Sequence, residues 1–397
     1  MLVFHELQCN IRIKSGKPMA GIYIHIPFCK KACHYCNFHF STSLKLKNDF
    51  LQSLLNETDL RVSYLNGESI STIYFGGGTP SLLNQEETKN ILDKIRERFN
   101  VLPGAEITLE ANPDDINEEK LIAWKNAGVN RLSIGVQSFF EEDLQWMNRA
   151  HTAAQSIRNL QLAKNHFQNI TIDLIYGLPT LSDDKWKQNV EQAIQLEIPH
   201  LSCYALTVEP QTALHTLINQ NKLPDIDTND QARQFLLLME WMTNAGYDHY
   251  EISNFALPGK RSQHNSSYWR GAKYLGLGPS AHSYNGSSRQ WNIANNALYI
   301  QFLQKNQLNF EKEELTQTQQ LNEYIMTSLR TSEGLDTDYI SKQFSKEEAF
   351  RIQQSSDNLI KQELLQKKEN SLVLTRQGKL FADGIAAGLF GEEAASF

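Results

Sequence analysis

Residues 22–36 read Ile-Tyr-Ile-His-Ile-Pro-Phe-Cys-Lys-Lys-Ala-Cys-His-Tyr-Cys. The run IYIHI is rich in β-branched residues and predicts a strand, which the proline stops. Three of the chain's five cysteines, Cys29, Cys33 and Cys36, crowd into the loop that follows. That spacing is too tight and too uneven for a disulfide scaffold and reads as a metal site in a reducing compartment. Three thiolates on one short loop can each hold one iron of a cubane and leave the fourth iron without a protein ligand. An open iron can chelate the amino and carboxylate groups of a bound molecule. Zinc is the competing occupant, with His34 or His39 as the added ligand. Structural zinc, however, favours four ligands in two separated pairs, and Cys9 and Cys203 are unpaired.

Outward from this loop the chain alternates strand and helix. Strands are predicted at 22–26, 71–75, 106–110, 131–136, 169–176 and 200–208. Helices are predicted at 47–65, 85–99, 117–127, 140–149, 152–166 and 183–196. Six such units predict an α/β fold: a parallel sheet with right-handed crossovers, hence an incomplete (β/α)6 barrel. A doubly wound open sheet is the alternative. Residues 1–18 show no clean periodicity and read as an extension, with Met19 an alternative start. The barrel is expected over 19–215 and a less regular, barrel-completing segment over 216–305, with a helix near 228–245. A carboxy-terminal domain follows over 306–397, with helices at 316–330, 337–343 and 346–368 and a strand-turn pair around 371–381. Helices before a small β-turn resemble a winged-helix module. Residues 311–397 hold ten Lys/Arg against fifteen Asp/Glu, a poor balance for DNA binding and a better one for docking or a lid.

Composition narrows the class. In 397 residues, 41% are hydrophobic and 21% charged, which excludes disorder as the main state. Thirty-eight basic against 45 acidic residues give a net charge of −7, which argues against nucleic acid as the partner. No apolar run reaches the length of a membrane helix, and no signal-peptide stretch opens the chain. A cytoplasmic metalloprotein is expected.

Function in α/β barrels collects at the carboxy-terminal strand ends. There the chain carries Gly76-Gly77-Gly78-Thr79-Pro80 after the second strand, Glu110 on the third and Gln137 on the fourth. The fifth carries Asp173, and the sixth carries Tyr204-Ala205. Each polar residue alone is more simply a cap or a hydrogen-bonded loop residue. Their recurrence at successive strand ends points to a site.

CxxxCxxC with Tyr35 before its last cysteine resembles the radical S-adenosylmethionine (SAM) superfamily. With YIHIPFC, GGGTP, LEANP, GVQSF, Asn148-Arg149-Ala-His151, DLIYGLP and GLGPSAHSY, residues 20–290 resemble the oxygen-independent coproporphyrinogen III oxidases. The resemblance implies a 4Fe–4S cluster on Cys29, Cys33 and Cys36. It implies SAM contacts at Tyr23, Tyr35, Gly77, Gly78, Thr79, Glu110, Gln137, Arg149, Asp173, Ala205 and His282.

Two departures narrow it further. The oxidases carry a further cysteine where this chain has Phe38, and a longer segment before the cluster strand than the 22 residues preceding Tyr23. Both features resemble the sister branch, the HemW-type heme chaperones. So does His264-Asn265-Ser-Ser-Tyr268-Trp269, which matches an HNxxYW motif associated with heme in that branch. An imidazole, His264 with His25, His34 and His282 as fallbacks, can ligate heme iron and aromatic rings can cover a porphyrin face; a His–Tyr–Trp packing cluster is the alternative. The resemblance implies a chaperone that holds heme, a cluster and SAM and passes heme to an acceptor protein, a respiratory protein among the candidates. It implies no nucleic acid and membrane contact only through that acceptor. Oxidative decarboxylation of coproporphyrinogen III is the alternative activity. A tRNA-modifying enzyme lacks support, since there is neither a basic domain nor a second cysteine triplet.

Overall fold

Alternation of period two governs the centre of the molecule. A computed structural model describes residues 19–391; the expected extension 1–18, with Cys9, lies outside the described residues. Six strands, β1 (Met19–Ile26), β2 (Ser69–Gly77), β3 (Val101–Ala111), β4 (Arg131–Gln137), β5 (Ile170–Tyr176) and β6 (His200–Ala205), pair in parallel in sequence order. In the register, Ile24, Phe75, Leu109 and Leu132 fall on one face, all fully buried. Tyr23, Tyr74, Glu110 and Ser133 fall on the other, as do Asp173 and Ser202 on β5 and β6. Apolar residues therefore meet the helices, and a polar face is left inside the curve of the sheet.

The helices between the strands are α1 (Lys47–Leu60), α2 (Gln85–Arg98), α3 (Glu118–Ala127), α4 (Glu141–Trp146), α5 (Ala153–His166) and α6 (Asp183–Gln195). Their apolar sides, including Phe50, Leu92, Trp124, Leu160 and Trp186, join the strands in one core. Reciprocal capping boxes at Asn84/Glu87 and Thr152/Gln155 set two of the starts, each contributing about 1 kcal/mol. Two expected helices stop early. Residues 47–65 remain helical only to Leu60, and 140–149 only over α4, because Asn148 is left-handed (φ 59°) and turns Arg149 inward. Sequential strand order also excludes the doubly wound alternative, whose order reverses midway.

The less regular stretch supplies both flanks of a twelve-stranded sheet. β7 (Asp248–Glu251) and β8 (Asn254–Ala256) extend it beyond β6. β9 (Tyr274–Leu277) lies parallel to β1, followed outward by β10 (His282–Tyr284), β11 (Ser288–Asn292) and β12 (Phe310–Glu314). Helices α7 (Ala213–Asn219), α8 (Thr228–Asn244), α9 (Gln263–Trp269) and α10 (Asn296–Leu303) lie among them. The order does not return from β12 to β7, so the sheet stays open.

A second core gathers Leu321, Ile325, Ile340, Ile352, Leu372 and Ile385. It joins α11 (Gln317–Leu329), α12 (Thr337–Gln343), α13 (Lys346–Lys361) and α14 (Ala382–Gly388) to a small sheet of β13 (Leu335–Asp336), β14 (Leu365–Lys368) and β15 (Ser371–Leu374). The helix expected over 346–368 ends at Lys361, before left-handed Glu363 (φ 57°). Residues 365–368 instead form the first strand of a hairpin, and the strand-turn expected to run to 381 gives way to helical turns from Gly378. No helix among the described residues is long and apolar enough to cross a membrane.

Candidate functional site

The cysteine loop is pinned from both sides. Phe28, fully buried, packs edge-on against Phe50, and the Cys29 amide donates to the Ser41 carbonyl at 3.0 Å. The His34 amide donates to Met147 O (3.1 Å) and the Leu214 amide to His34 O (2.7 Å). Lys30 reaches Asp114 and Asp115. The three thiols are half-buried and form no disulfide among the described residues. Arg149 Nη1 donates to Cys33 Sγ at 3.2 Å, and Thr79 Oγ1 to Cys29 Sγ at 3.4 Å. Burial holds Cys29 up at about 11, against the lowering contact from Thr79. A bound cation is what would release those protons, since metal ligands must be thiolates. Neither His34 nor His39 joins the cysteines: His34 Nδ1 donates to Trp146 O and His39 Nε2 to Asn296 Oδ1. Among the described residues no three His, Cys, Asp or Glu groups converge on a single ion. The donor set, three half-open sulfurs with hydrogen-bond donors beside them, fits a cluster that takes each sulfur on a separate iron.

Arg149 ties this loop to the strand ends. Its Nη1 also donates to Tyr35 Oη (3.3 Å), and Nη2 donates to Asn112 Oδ1 (2.7 Å) and Gly135 O (2.9 Å). Asn112 in turn donates to Thr79 Oγ1 at 3.3 Å. Gly77 is left-handed (φ 100°), and the Gly78 amide donates to Ile26 O at 2.9 Å. A Cβ on Gly78 would lie 2.6 Å from Phe28 O and 2.7 Å from Ile26 O, so the turn sits flush against the end of β1. Tyr74 donates to Glu110 Oε1 at 2.8 Å. Burial and then Asp173 raise Glu110 to about 8, while burial raises Asp173 to about 6. Gln137 is buried and left-handed (φ 68°), a non-glycine held in strain beside Gly135.

The polar side chains named at strand ends thus share one mouth with the cysteines: Tyr35, Thr79, Glu110, Arg149 and Asp173 interact directly or electrostatically. Ala205 closes β6 opposite Tyr176. His282, on β10, lies within electrostatic reach of His25, whose ring abuts the Gly77 turn. Asn112 and Tyr74 were not singled out from sequence; Tyr74 shares the alternation parity of Glu110, which is the signal that marks it.

The histidine of the HNxxYW motif is buried beneath this mouth, against Tyr74. α9 inserts toward the amino-terminal part of the strands, where the His264 and Gln263 amides donate to the Glu106 carboxylate. His264 is 1% exposed. Its Nδ1 is paired with Thr72 Oγ1 and its Nε2 with Tyr268 Oη, both at 2.8 Å, and its ring stacks on Tyr74. With both nitrogens engaged, the ring holds α9 in place and presents no lone pair to a metal. Asn265 is half-buried, and its backbone amide donates to Ser262 Oγ, the cap of α9, at 3.2 Å.

Tyr268 and Trp269, by contrast, face a cavity of about 1290 Å³ between the β1 flank, α9 and the carboxy-terminal helices. That exceeds the ~300–1,000 Å³ of ordinary ligand pockets. Tyr23, Phe38, Tyr274 and Tyr284 add aromatic wall, and Phe38 is 66% exposed. Two buried donors behind the wall, Trp269 Nε1 and Arg289 Nε, have no partner among the described residues. Arg261 and Arg289 pair with acids, whereas Arg270 is exposed and has no side-chain partner among the described residues. Aromatic faces with the exposed Arg270 guanidinium on the lining suit a flat apolar ligand bearing carboxylates, as heme does.

Comparison with known proteins agrees with this arrangement. The radical SAM superfamily profile matches residues 23–193, and the HemN C-terminal domain profile matches 315–381. The heme chaperone HemW of Bacillus subtilis is 32% identical over 378 residues, 94% of this chain and 100% of that protein. That of Escherichia coli is 41% identical over 273 residues, 67% of this chain and 70% of the relative. The solved coproporphyrinogen III oxidase (HemN) of Escherichia coli superposes with a TM-score of 0.81 at 24% identity, over 94% of this chain and 90% of that one. That likeness establishes the radical SAM fold.

Proposed function

Since the chain belongs to the HemW heme-chaperone family of the radical SAM superfamily, we propose that it holds heme in the aromatic cavity and hands it to an acceptor protein. The observation that carries this reading is the cavity itself, walled by Tyr268 and Trp269 and lined by the exposed Arg270.

Cys29, Cys33 and Cys36 hold a 4Fe–4S cluster, and SAM lies in the mouth beside them. Bound there, the two supply one-electron chemistry. Arg149 and Thr79 stabilise the thiolates by donating to sulfur. The turn Gly77-Gly78-Thr79 offers backbone to the methionyl end of SAM, with Glu110 and Asp173 available to its ammonium and sulfonium. Tyr23, Tyr35, Gln137 and Ala205 complete the walls. Within HNxxYW the roles divide: His264 fixes α9, Tyr268 and Trp269 cover the porphyrin, and the Asn265 side chain faces the heme. Arg270 meets the propionates. The net charge of −7 supports a protein acceptor over nucleic acid, and the cysteine usage supports the cytoplasm.

The test is anaerobic reconstitution with iron and sulfide, followed by separate titrations with heme and coproporphyrinogen III. Stable heme uptake without decarboxylation is expected. Turnover of coproporphyrinogen III to protoporphyrinogen IX by the reduced protein would replace this reading with the oxidase.

A further inference from the structure

Three histidines line the aromatic cavity: His25, His39 and His282. His25 is 4% exposed and fully committed, with Nε2 donating to His39 O at 2.8 Å and Nδ1 accepting from Tyr23 Oη at 3.3 Å. His39 Nε2 donates to Asn296 Oδ1 at 2.7 Å, which leaves only Nδ1. His282 is different. Its ring is exposed to the cavity and hydrogen-bonds to no residue among those described. It stacks on Trp291, its register partner on β11, with centroids 5.9 Å apart and planes 27° apart. An indole beneath one face fixes the orientation of the imidazole and leaves its nitrogens open at the edge.

We propose that His282 supplies the axial imidazole to heme iron in this cavity, an assignment that rests on the reading of the cavity as the heme site. It replaces both His264 as iron ligand and the SAM contact that the family resemblance implies for His282. His282 shares no hydrogen bond with Glu110, Gln137 or Asp173 among the described residues, and its neighbours are cavity groups. The bond that forms runs from an imidazole lone pair to iron, and the ligand displaced is water; no electron is transferred. Burial and the Arg289 guanidinium both keep His282 below the ordinary histidine value, so the neutral, ligating form prevails at neutral pH. Tyr284, two residues on, lines the same wall, so one short hairpin presents both the ligand and aromatic cover.

The experiment is a titration of the full-length protein with ferric heme, read by Soret absorption and low-temperature EPR. Wild type, His282→Ala, His39→Ala and His264→Ala are compared, each checked for thermal unfolding. The expected result is a nitrogen-ligated low-spin spectrum in wild type and His39→Ala, lost in His282→Ala and restored there by millimolar free imidazole. His264→Ala should lower the melting temperature yet keep the wild-type spectrum in the folded fraction. An unchanged spectrum in His282→Ala, or loss confined to His39→Ala or His264→Ala, overturns the ligand while leaving the heme cavity standing. Should His282→Ala unfold, His282→Gln carries the same comparison. Wild type that takes up no heme removes the chaperone reading, and the ligand with it.

Discussion

Replacing Glu110 by glutamine removes one charge and keeps an oxygen for the Tyr74 hydroxyl that now donates to it. Burial first, and the Asp173 carboxylate second, lift Glu110 from 4.5 to about 8 in the ligand-free protein. A carboxyl with a raised folded value contributes fully to stability below its unfolded value and loses that contribution as pH climbs through the folded one. A rise of this size corresponds to ~5 kcal/mol, and the carboxyl's partial opening to the mouth reduces it to ~2–4 kcal/mol. Urea unfolding without SAM should therefore find the two proteins alike at pH 4.5. The glutamine variant should be the more stable at pH 8.5 by about that margin. The opposite holds for binding, because a charge that is costly when unmatched is valuable to a cation. Calorimetry of SAM in buffers of different ionisation enthalpy, near pH 7, should register release of about one proton by wild type and none by the variant. Parallel stability profiles, or a glutamine variant weaker than wild type at pH 8.5, would refute the electrostatic account of this mouth.

Alanine at Cys29, Cys33 or Cys36 should abolish the visible absorption of a reconstituted cluster. Cys203, 1% exposed within the core, should be dispensable for it, and cluster loss in Cys203→Ser would overturn the assignment. Gly78→Ala drives a methyl group against the backbone of Ile26 and Phe28, so a stability loss of ~1–3 kcal/mol and impaired cluster uptake are expected in chemical unfolding and iron assays. An unaffected Gly78→Ala protein would mean the turn is not packed as described. Arg149→Lys keeps the charge but cannot span Cys33, Tyr35, Asn112 and Gly135 together. It should lose ~1.5–3 kcal/mol and release cluster iron faster to a chelator, and equal release rates would show the fork to be incidental.

The six parallel strands and the cysteine loop were legible because both are local signals: alternation within a strand, and ligands within one loop. GGGTP, Glu110 and Asp173 were legible for a related reason, since strand ends in this architecture converge. The flanking strands β7 to β11 were not. They are three to five residues long and mix glycine, histidine and polar side chains, so their pairing is decided by the neighbouring strand rather than by their own pattern. His264 misled because its motif announces chemistry while its position is set by Thr72, Glu106 and Tyr74, all distant in sequence. His282 lies in a segment quoted for its resemblance. Its freedom from partners becomes visible only once the competing histidines are seen to be engaged.

The open sheet has a consequence for behaviour in solution. A closed barrel has no edges, but this one has two, and an uncovered edge invites strands from other molecules to add to it. On β12 the edge is guarded by composition: Phe310 is followed by Glu311, Lys312, Glu313 and Glu314, all four exposed, and an incoming strand would have to bury them. On β7 it is guarded by the chain itself. Glu251 bridges Thr331, the Ile252 amide donates to Arg330 O, and the Ser332 amide donates to Tyr250 O, each amide bond at 3.0 Å. The carboxy-terminal domain therefore shields the sheet as well as walling the cavity. Cutting the chain after β12 would bare β7, and the shortened protein should self-associate through that edge even with its barrel core intact.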